Sequence, residues 1–461
     1  MRSFRHAMPR LVPFLSLVIF CASTTSISSA PPTTTRTKKP PSKSVAPSIF
    51  RQSDRRPRHD DQRLAKLGIG RYESQRLILY TDLPAKEAQP LPALLDAAYS
   101  AWEEYFGPLP PDRERSEYQL TGYLMVDQAP FREAGLLPDD LPNFDHGRHR
   151  GQEFWLNDQP SVYYREHLLL HEGTHCYTTS VEHGLLPRVW YIEGIAEHFG
   201  THRRLSDGTT EFRILPDVRA DFPNLGRIKL IEEYTADRPP LSLKTVSELP
   251  SVRFSQPDAY AWSWGLCHFL DQHPRHGERF QKATRVVVAG GADDELRRLL
   301  SEPDLAREWE WFSADLCHGY DLSRAAIDVR HGESAKAGSG EPVKVTADRG
   351  WQSSGWLLKA GERYRLKAKG RFLLAKEPKP WVSEPAGVSI RYHAGLPLGR
   401  LVGRLWPKDA HSKGSLKVLD LGSTAEISVE EDATLYLRLN DAWNELADNE
   451  GTADVWVEDS R

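Results

Sequence analysis

Cysteine and methionine are scarce in this sequence, four and three residues among 461. There is no Cys-x-x-Cys pair, and the cysteines are too few for a disulfide scaffold. Neither charge dominates, with 60 Lys+Arg against 64 Asp+Glu. That balance argues against a nucleic-acid protein held by bulk charge, so no nucleic-acid partner is expected. Apart from one run at the amino terminus there is no long apolar stretch, which excludes a polytopic membrane protein. Internal repeats are absent too. What is present is 39% hydrophobic and 27% charged residues, the balance of a soluble globular protein. The length suits two or three domains. Tryptophan is plentiful, at 13.

The one apolar run, LVPFLSLVIFCA, follows Arg2, Arg5 and Arg10 and precedes small residues. This is the pattern of a secretory signal over residues 1–30, with cleavage near Ser28 or Ala30. An N-terminal anchor is the alternative, but the run is short for a bilayer. Residues 31–63 are rich in Pro, Ser, Thr and Arg and read as a disordered basic tether. The signal carries +3 and the tether +6, so the total of −4 leaves −13 for residues 64–461. The expectation is a secreted, periplasmic or cell-surface protein with no membrane span in its mature chain. Cys176, Cys267 and Cys317 would remain, an odd number that permits one disulfide and leaves one thiol.

Hydrophobic periodicity places a strand, a helix over 92–106 and a second strand before a Pro/Gly/Asp-rich loop at 128–152. A short strand at 154–158 precedes VYYREHLLLHEGTHCYTTSVEHG (162–184), which reads as one long helix stopped by Gly184. RVWYIEGIAEHFG reads as a second helix, and more follow at about 241–249, 257–273, 276–288, 293–302 and 303–317. From 341 the texture changes to short strands with turns between them, an all-β domain. The fold class expected is α+β: a mainly helical domain with a small N-terminal sheet over 64–321, a linker at 322–340, and a β-sandwich over 341–461.

His171-Glu172-Gly173-Thr174-His175 is HExxH. On a helix the two histidines share one face, so they can hold one zinc ion, and the glutamate between them can act as a base. Glu193 lies 18 positions after His175, on the next predicted helix, and supplies a third ligand. A structural zinc site would be closed by four protein ligands; three leave an open position, as catalysis needs. Glu197, one turn beyond Glu193, can accept a hydrogen bond from the far nitrogen of a ligating histidine. His183 and His198 are alternative ligands, more readily placed outside the metal's reach. His167 shares the face of His171 but points past the metal. Cys176 sits on another face, in packing or a disulfide.

HEGTH followed by WYIEGIAEH resembles the gluzincin metallopeptidases, and within them the peptidase-MA-like domains of bacterial secreted proteins, over about residues 72–317. The resemblance implies His171, His175 and Glu193 as zinc ligands and Glu172 as the general base that activates a water for peptide hydrolysis. It also places the helix opened by Tyr260 near the cleft, making Tyr260 the expected oxyanion donor and His268 a weaker one. The alternative for Tyr260 is packing beside Trp262 and Trp264.

Six tryptophans, at 351, 356, 381, 406, 443 and 456, fall in the β-domain. They suit either a core or carbohydrate binding. The segments WQSSGWLLKAGERYRLKAKGRF and LYLRLNDAWNELADNEGTADVWV resemble the calcium-dependent, galactose-binding PA-IL-like lectins over about 345–458. This implies Asp441, Asp448 and Asn449 as calcium ligands, with hard oxygens on a loop. Glu445 departs from the family's Thr, and His393 matches a sugar-contacting His only with a one-residue gap. The expected function is a secreted zinc metallopeptidase acting on a peptide or protein substrate, with a module for a glycan or cell-envelope ligand. The alternative is an inactive cell-surface carbohydrate-binding protein that retains a remnant peptidase domain.

Overall fold

The computed structural model describes residues 49–53, 56–182, 184–334, 341–409 and 416–459. The expected signal and its cleavage site, residues 31–48 of the tether, and His183 lie outside them. Among the described residues no helix is long and apolar enough to cross a membrane.

The chain is α+β, as expected. Its first half runs α1 (Asp61–Lys66), β1 (Gly70–Glu73), β2 (Leu77–Thr81), α2 (Ala85–Ala88), α3 (Leu91–Phe106), β3 (Leu120–Met125), α4 (Gln128–Ala134), β4 (Gly147–Arg150) and β5 (Glu153–Asn157). These strands form one sheet in the order β1-β2-β3-β5-β4. β2, β3 and β5 are parallel, and β1 and β4 close the two edges antiparallel. Alternation along the strands feeds two cores. Leu77, Leu79, Leu120, Leu124, Phe154 and Leu156 face the helices. Ile78, Tyr80, Tyr123, Met125 and Trp155 face Leu64 and Phe131.

Two long helices lie on the first face, α5 (Val162–Thr178) and α6 (Val189–Gly200). Ser161 caps α5 by accepting from Tyr164 N at 3.1 Å. α5 is six residues shorter than the spacing predicts. Thr178, Thr179 and Ser180 turn their hydroxyls back onto the carbonyls of Thr174, His175 and Tyr177, and such bonds compete with helix continuation. A hairpin, β6 (His202–Arg204) and β7 (Thr210–Phe212), leads to α7 (Arg227–Thr235) and α8 (Leu243–Ser247). Then come α9 (Pro257–Gln272), begun by proline at its first position, α10 (Gly277–Val288), α11 (Asp294–Leu300) and α12 (Leu305–Asp315).

The tether expectation fails at its end. Arg51 is 2% exposed. Its guanidinium donates to Ser116 O at 2.6 Å and lies 3.5 Å from Asp112, and its backbone bridges Val181. A buried charge with a carboxylate partner anchors a segment whose composition alone reads as disordered.

The second half runs α13 (Leu322–Ala325), β8 (Glu333–Ser334), β9 (Val343–Thr346), β10 (Gln352–Leu358), β11 (Arg363–Lys369), β12 (Phe372–Ala375), β13 (Trp381–Ser383), β14 (Val388–His393) and β15 (Leu396–Leu398), then β16 (Leu401–Pro407), β17 (Leu419–Asp420), β18 (Thr424–Ser428), β19 (Ala433–Leu439) and β20 (Glu450–Asp459). One sheet has the order β17-β16-β19-β10-β8; the other has β13-β12-β20-β11-β18 with β9 beside β20. The expected linker is bound in its described part. Arg330 N donates to Tyr436 OH at 3.2 Å, Gly332 N donates to Thr434 Oγ1 at 2.9 Å, and β8 pairs with β10.

The two halves share one core. Trp311 and Phe312 of α12 pack in a single cluster with Trp351, Trp406, Tyr436 and Trp443 of the sandwich. Asp315 accepts two bonds from Arg404 at 2.8 Å each and one from Trp351 Nε1 at 3.2 Å. Three of the six C-terminal tryptophans therefore fill a seam.

Candidate metal centre

α5 crosses the centre of the domain and is buried from Tyr164 to Tyr177. Its polar side chains must find partners there, because an unpaired buried polar group is costly. α6 brings the partners. His171 Nε2 and His175 Nε2 lie 3.0 Å apart, and each lies 3.4 Å from Glu193 Oε2. A tetrahedral ion with bonds near 2.0–2.1 Å sets its ligand atoms about 3.3 Å apart, so this triangle has the size of a zinc donor set. A triangle of those sides has its centre about 1.9 Å from each atom. The donor types, two imidazoles and a carboxylate, also suit zinc.

Carboxylates and imidazoles set one another's charge at the site. Glu172, Glu193 and Glu197 are all buried around the two histidines. Burial opposes the ionised form of Glu193, but His175 and His171 outweigh it and hold its pKa well below the usual carboxylate range. Burial likewise opposes the charge on His171, yet Glu193 and Glu197 raise its pKa to about 10. Glu172 is shifted downward as well: His149, His171 and His175 outweigh its burial. It is a carboxylate, able to accept a proton.

Glu197 lies behind the triangle. Its Oε1 is 3.2 Å from His171 Nδ1, and its Oε2 is 3.1 Å from His167 Nε2. Tyr260, on α9, brings its ring within 6.2 Å of the His171 ring and packs edge-on against Phe254. His268 is elsewhere in the core. It stacks on Trp264 and meets His198 edge-on, and burial lowers its pKa to about 3, so it is a poor candidate for the oxyanion donor. His198 is held by Asp271, whose carboxylate also accepts from Tyr105 and Arg213. Cys176 and Cys267 are buried free thiols and Cys317 is a half-buried one, so no disulfide joins the three among the described residues.

The residue that sequence reasoning missed is His149. It lies on β4, inside the stretch 128–152 that reads as loop. Its ring stacks on His175 at 4.6 Å, and its Nδ1 is 3.4 Å from Glu172 Oε2. The strand needs Gly147 to approach: a Cβ there would stand 2.5 Å from Glu172 Oε1. Four residues of edge strand, two of them arginine, carry no alternating signal.

A further cluster, His273, His276 and Glu308, also groups potential ligands. Its chemistry differs. His273 Nδ1 accepts from Arg275 N at 3.1 Å, so the proton of the neutral ring is on Nε2, the atom facing Glu308. That tautomer donates a hydrogen bond and offers no lone pair to an ion.

In the sandwich, Asn449 Nδ2 donates to Asp441 Oδ2 at 2.9 Å. Asn449 Oδ1 is buried without a hydrogen-bond partner, and burial raises the Asp441 pKa to about 6. Asp448, at the end of the 3-10 turn Leu446–Asp448, takes no part in that bond. Glu445 pairs with Arg391 at 2.7 Å, and His393 stands on β14, its pKa lowered to about 4 by burial and the nearby Arg438.

No family model matches the sequence, and no curated protein matches it. A solved structure described as "EclA N-terminal domain; PllA-like lectin" is similar at 25% identity, over 25% of this chain and 93% of that chain, with a TM-score of 0.20.

Proposed function

We propose that this chain is a zinc-dependent peptide hydrolase of gluzincin type. The observation that carries the reading is the convergence of His171, His175 and Glu193 at ligand spacing beside a fourth group, Glu172, which the triangle does not use. Zinc bound there would polarise a carbonyl and make water acidic near neutral pH. Glu172, ionised, would take a proton from the attacking water and deliver it to the leaving amine nitrogen. The Tyr260 hydroxyl would donate to the developing oxyanion. β4 ends its sheet beside Glu172, and an extended peptide would pair with such an edge. The signal pattern of residues 1–30 would place this activity outside the cytoplasm.

Glu172→Gln keeps the shape of the side chain and removes the base. Zinc content by mass spectrometry should be unchanged, and hydrolysis of a quenched fluorescent peptide library should fall about a hundred- to ten-thousand-fold. Hydrolysis at the wild-type rate would reject this mechanism.

A second reading, calcium binding by the sandwich in support of a glycan ligand, is favoured by one observation. The Asp441 carboxylate and the unpartnered Asn449 Oδ1 are buried side by side, and hard oxygens of this kind suit calcium.

A further inference from the structure

Arg227 opens α7 and is buried, with 5% exposure. Its Nε donates to Glu197 Oε2 at 2.6 Å and its Nη2 to Glu197 Oε1 at 3.0 Å. The same carboxylate faces His167 Nε2 at 3.1 Å through Oε2. It faces His171 Nδ1 at 3.2 Å through Oε1, a contact short in distance though bent from the ideal line. A carboxylate has about four lone-pair directions: Arg227 and His167 occupy three, and His171 Nδ1, which makes no hydrogen bond in this geometry, stands 3.2 Å from the carboxylate on the remaining side. An ionised carboxylate only accepts, so Glu197 favours a proton on His171 Nδ1. In the neutral ring that a metal ion would require, Nε2 then keeps the lone pair, and it faces His175 and Glu193.

The bidentate fork is what makes this arrangement stiff. Turning the Glu197 carboxylate would break both arginine bonds together, and the carboxylate is too deeply buried for water to replace them. Without the guanidinium, Glu197 would be free to swing between two histidines. His175 has no equivalent support. Neither Nδ1 makes a hydrogen bond, but that of His171 has the Glu197 carboxylate 3.2 Å away, whereas the His175 ring is held by stacking on His149. The site's geometry therefore depends on the His171 side.

We propose that Arg227 is a positioning residue of the metal centre: through Glu197 it holds His171 in the tautomer and orientation that present Nε2 to the ion. This rests on the zinc-hydrolase reading. It concerns how tightly the centre holds metal, so it can be tested apart from hydrolysis.

The test uses the full chain with Arg227→Gln and Arg227→Lys. Zinc affinity is measured by competition with a chromophoric chelator, the visible spectrum is recorded after cobalt loading, and melting of the metal-free proteins is followed by circular dichroism. R227Q should bind zinc about ten- to a hundredfold more weakly and give a shifted cobalt spectrum. R227K should recover part of the loss, since it keeps the charge and one bond but not the fork. R227Q that melts like wild type and binds zinc equally well overturns the proposal. Should R227Q fail to fold, wild-type protein labelled with 15N-histidine decides the matter. A slowly exchanging proton on His171 Nδ1 in the zinc-loaded protein supports the proposal, and a proton on Nε2 overturns it. A wild-type chain that binds no zinc overturns the hydrolase reading as well, whereas equal affinities overturn this inference alone.

Discussion

The chemistry of single residues here is set by which groups are buried together. HExxH names two histidines and a glutamate, but each ends in a different state because its neighbours differ. His171 faces two carboxylates, His175 faces one and an aromatic stack, and Glu172 faces three histidines. Asp441 in the other half is the reverse case. Desolvation, the largest influence on it, disfavours its charge and raises its pKa to about 6, although Asn449 and Ala442 N donate to it. Its ionised form is thus scarce below that pH, and a calcium ion held there must compete with protons. Calcium affinity measured by calorimetry on the full chain should weaken as pH falls from 7 through about 6, and Asp441→Asn should abolish it. Binding that is flat with pH and indifferent to Asp441→Asn would remove the calcium reading.

Among the elements, the decisive contact is where α6 crosses α9. Gly194 follows Glu193, and a Cβ on it would overlap Ser263 O and press on Cys267 Sγ. Only glycine lets the two backbones meet here, where α6 carries Glu193 and α9 carries Tyr260. Gly173 plays a similar part on α5, where a Cβ would stand 2.8 Å from Trp102 of α3. The glycines in HEGTH and IEGIAEH therefore serve packing. Gly194→Ala should force α6 outward, lower stability by about 1–3 kcal/mol through overpacking, and reduce zinc retention. Thermal melting and metal analysis on the purified variant would check this; wild-type stability with full zinc content would show that the crossing can relax. The helices were readable from hydrophobic periodicity. β4 was not, because an edge strand of four residues takes its position from β5.

At the scale of the molecule the finding is a shared core. Asp315, at the end of α12, pairs with Arg404 of the sandwich under Trp311 and Trp351, whose rings lie 5.5 and 4.7 Å from the guanidinium. Removing one partner of such a pair leaves a buried charge uncompensated. Asp315→Ala should cost about 3–5 kcal/mol. Because the seam belongs to one hydrophobic cluster, scanning calorimetry of the wild type should show a single transition. Two separate transitions would show that the halves are energetically independent. A fragment of residues 341–461 alone would expose Trp351, Trp406 and Trp443, so binding tests on the sandwich belong on the full chain.

Sequence by itself determined the class of the fold, the helices that carry the ligands, and the spacing that puts His171 and His175 on one face. These depend on local periodicity, and one turn of helix is enough to express them. Only the tertiary structure decided that Glu193 reaches the same point, that Arg227 and His149 stand beside it, and that three of the β-domain's tryptophans form a seam. Those contacts link residues far apart in the chain, and no local pattern encodes which buried polar group will find which partner.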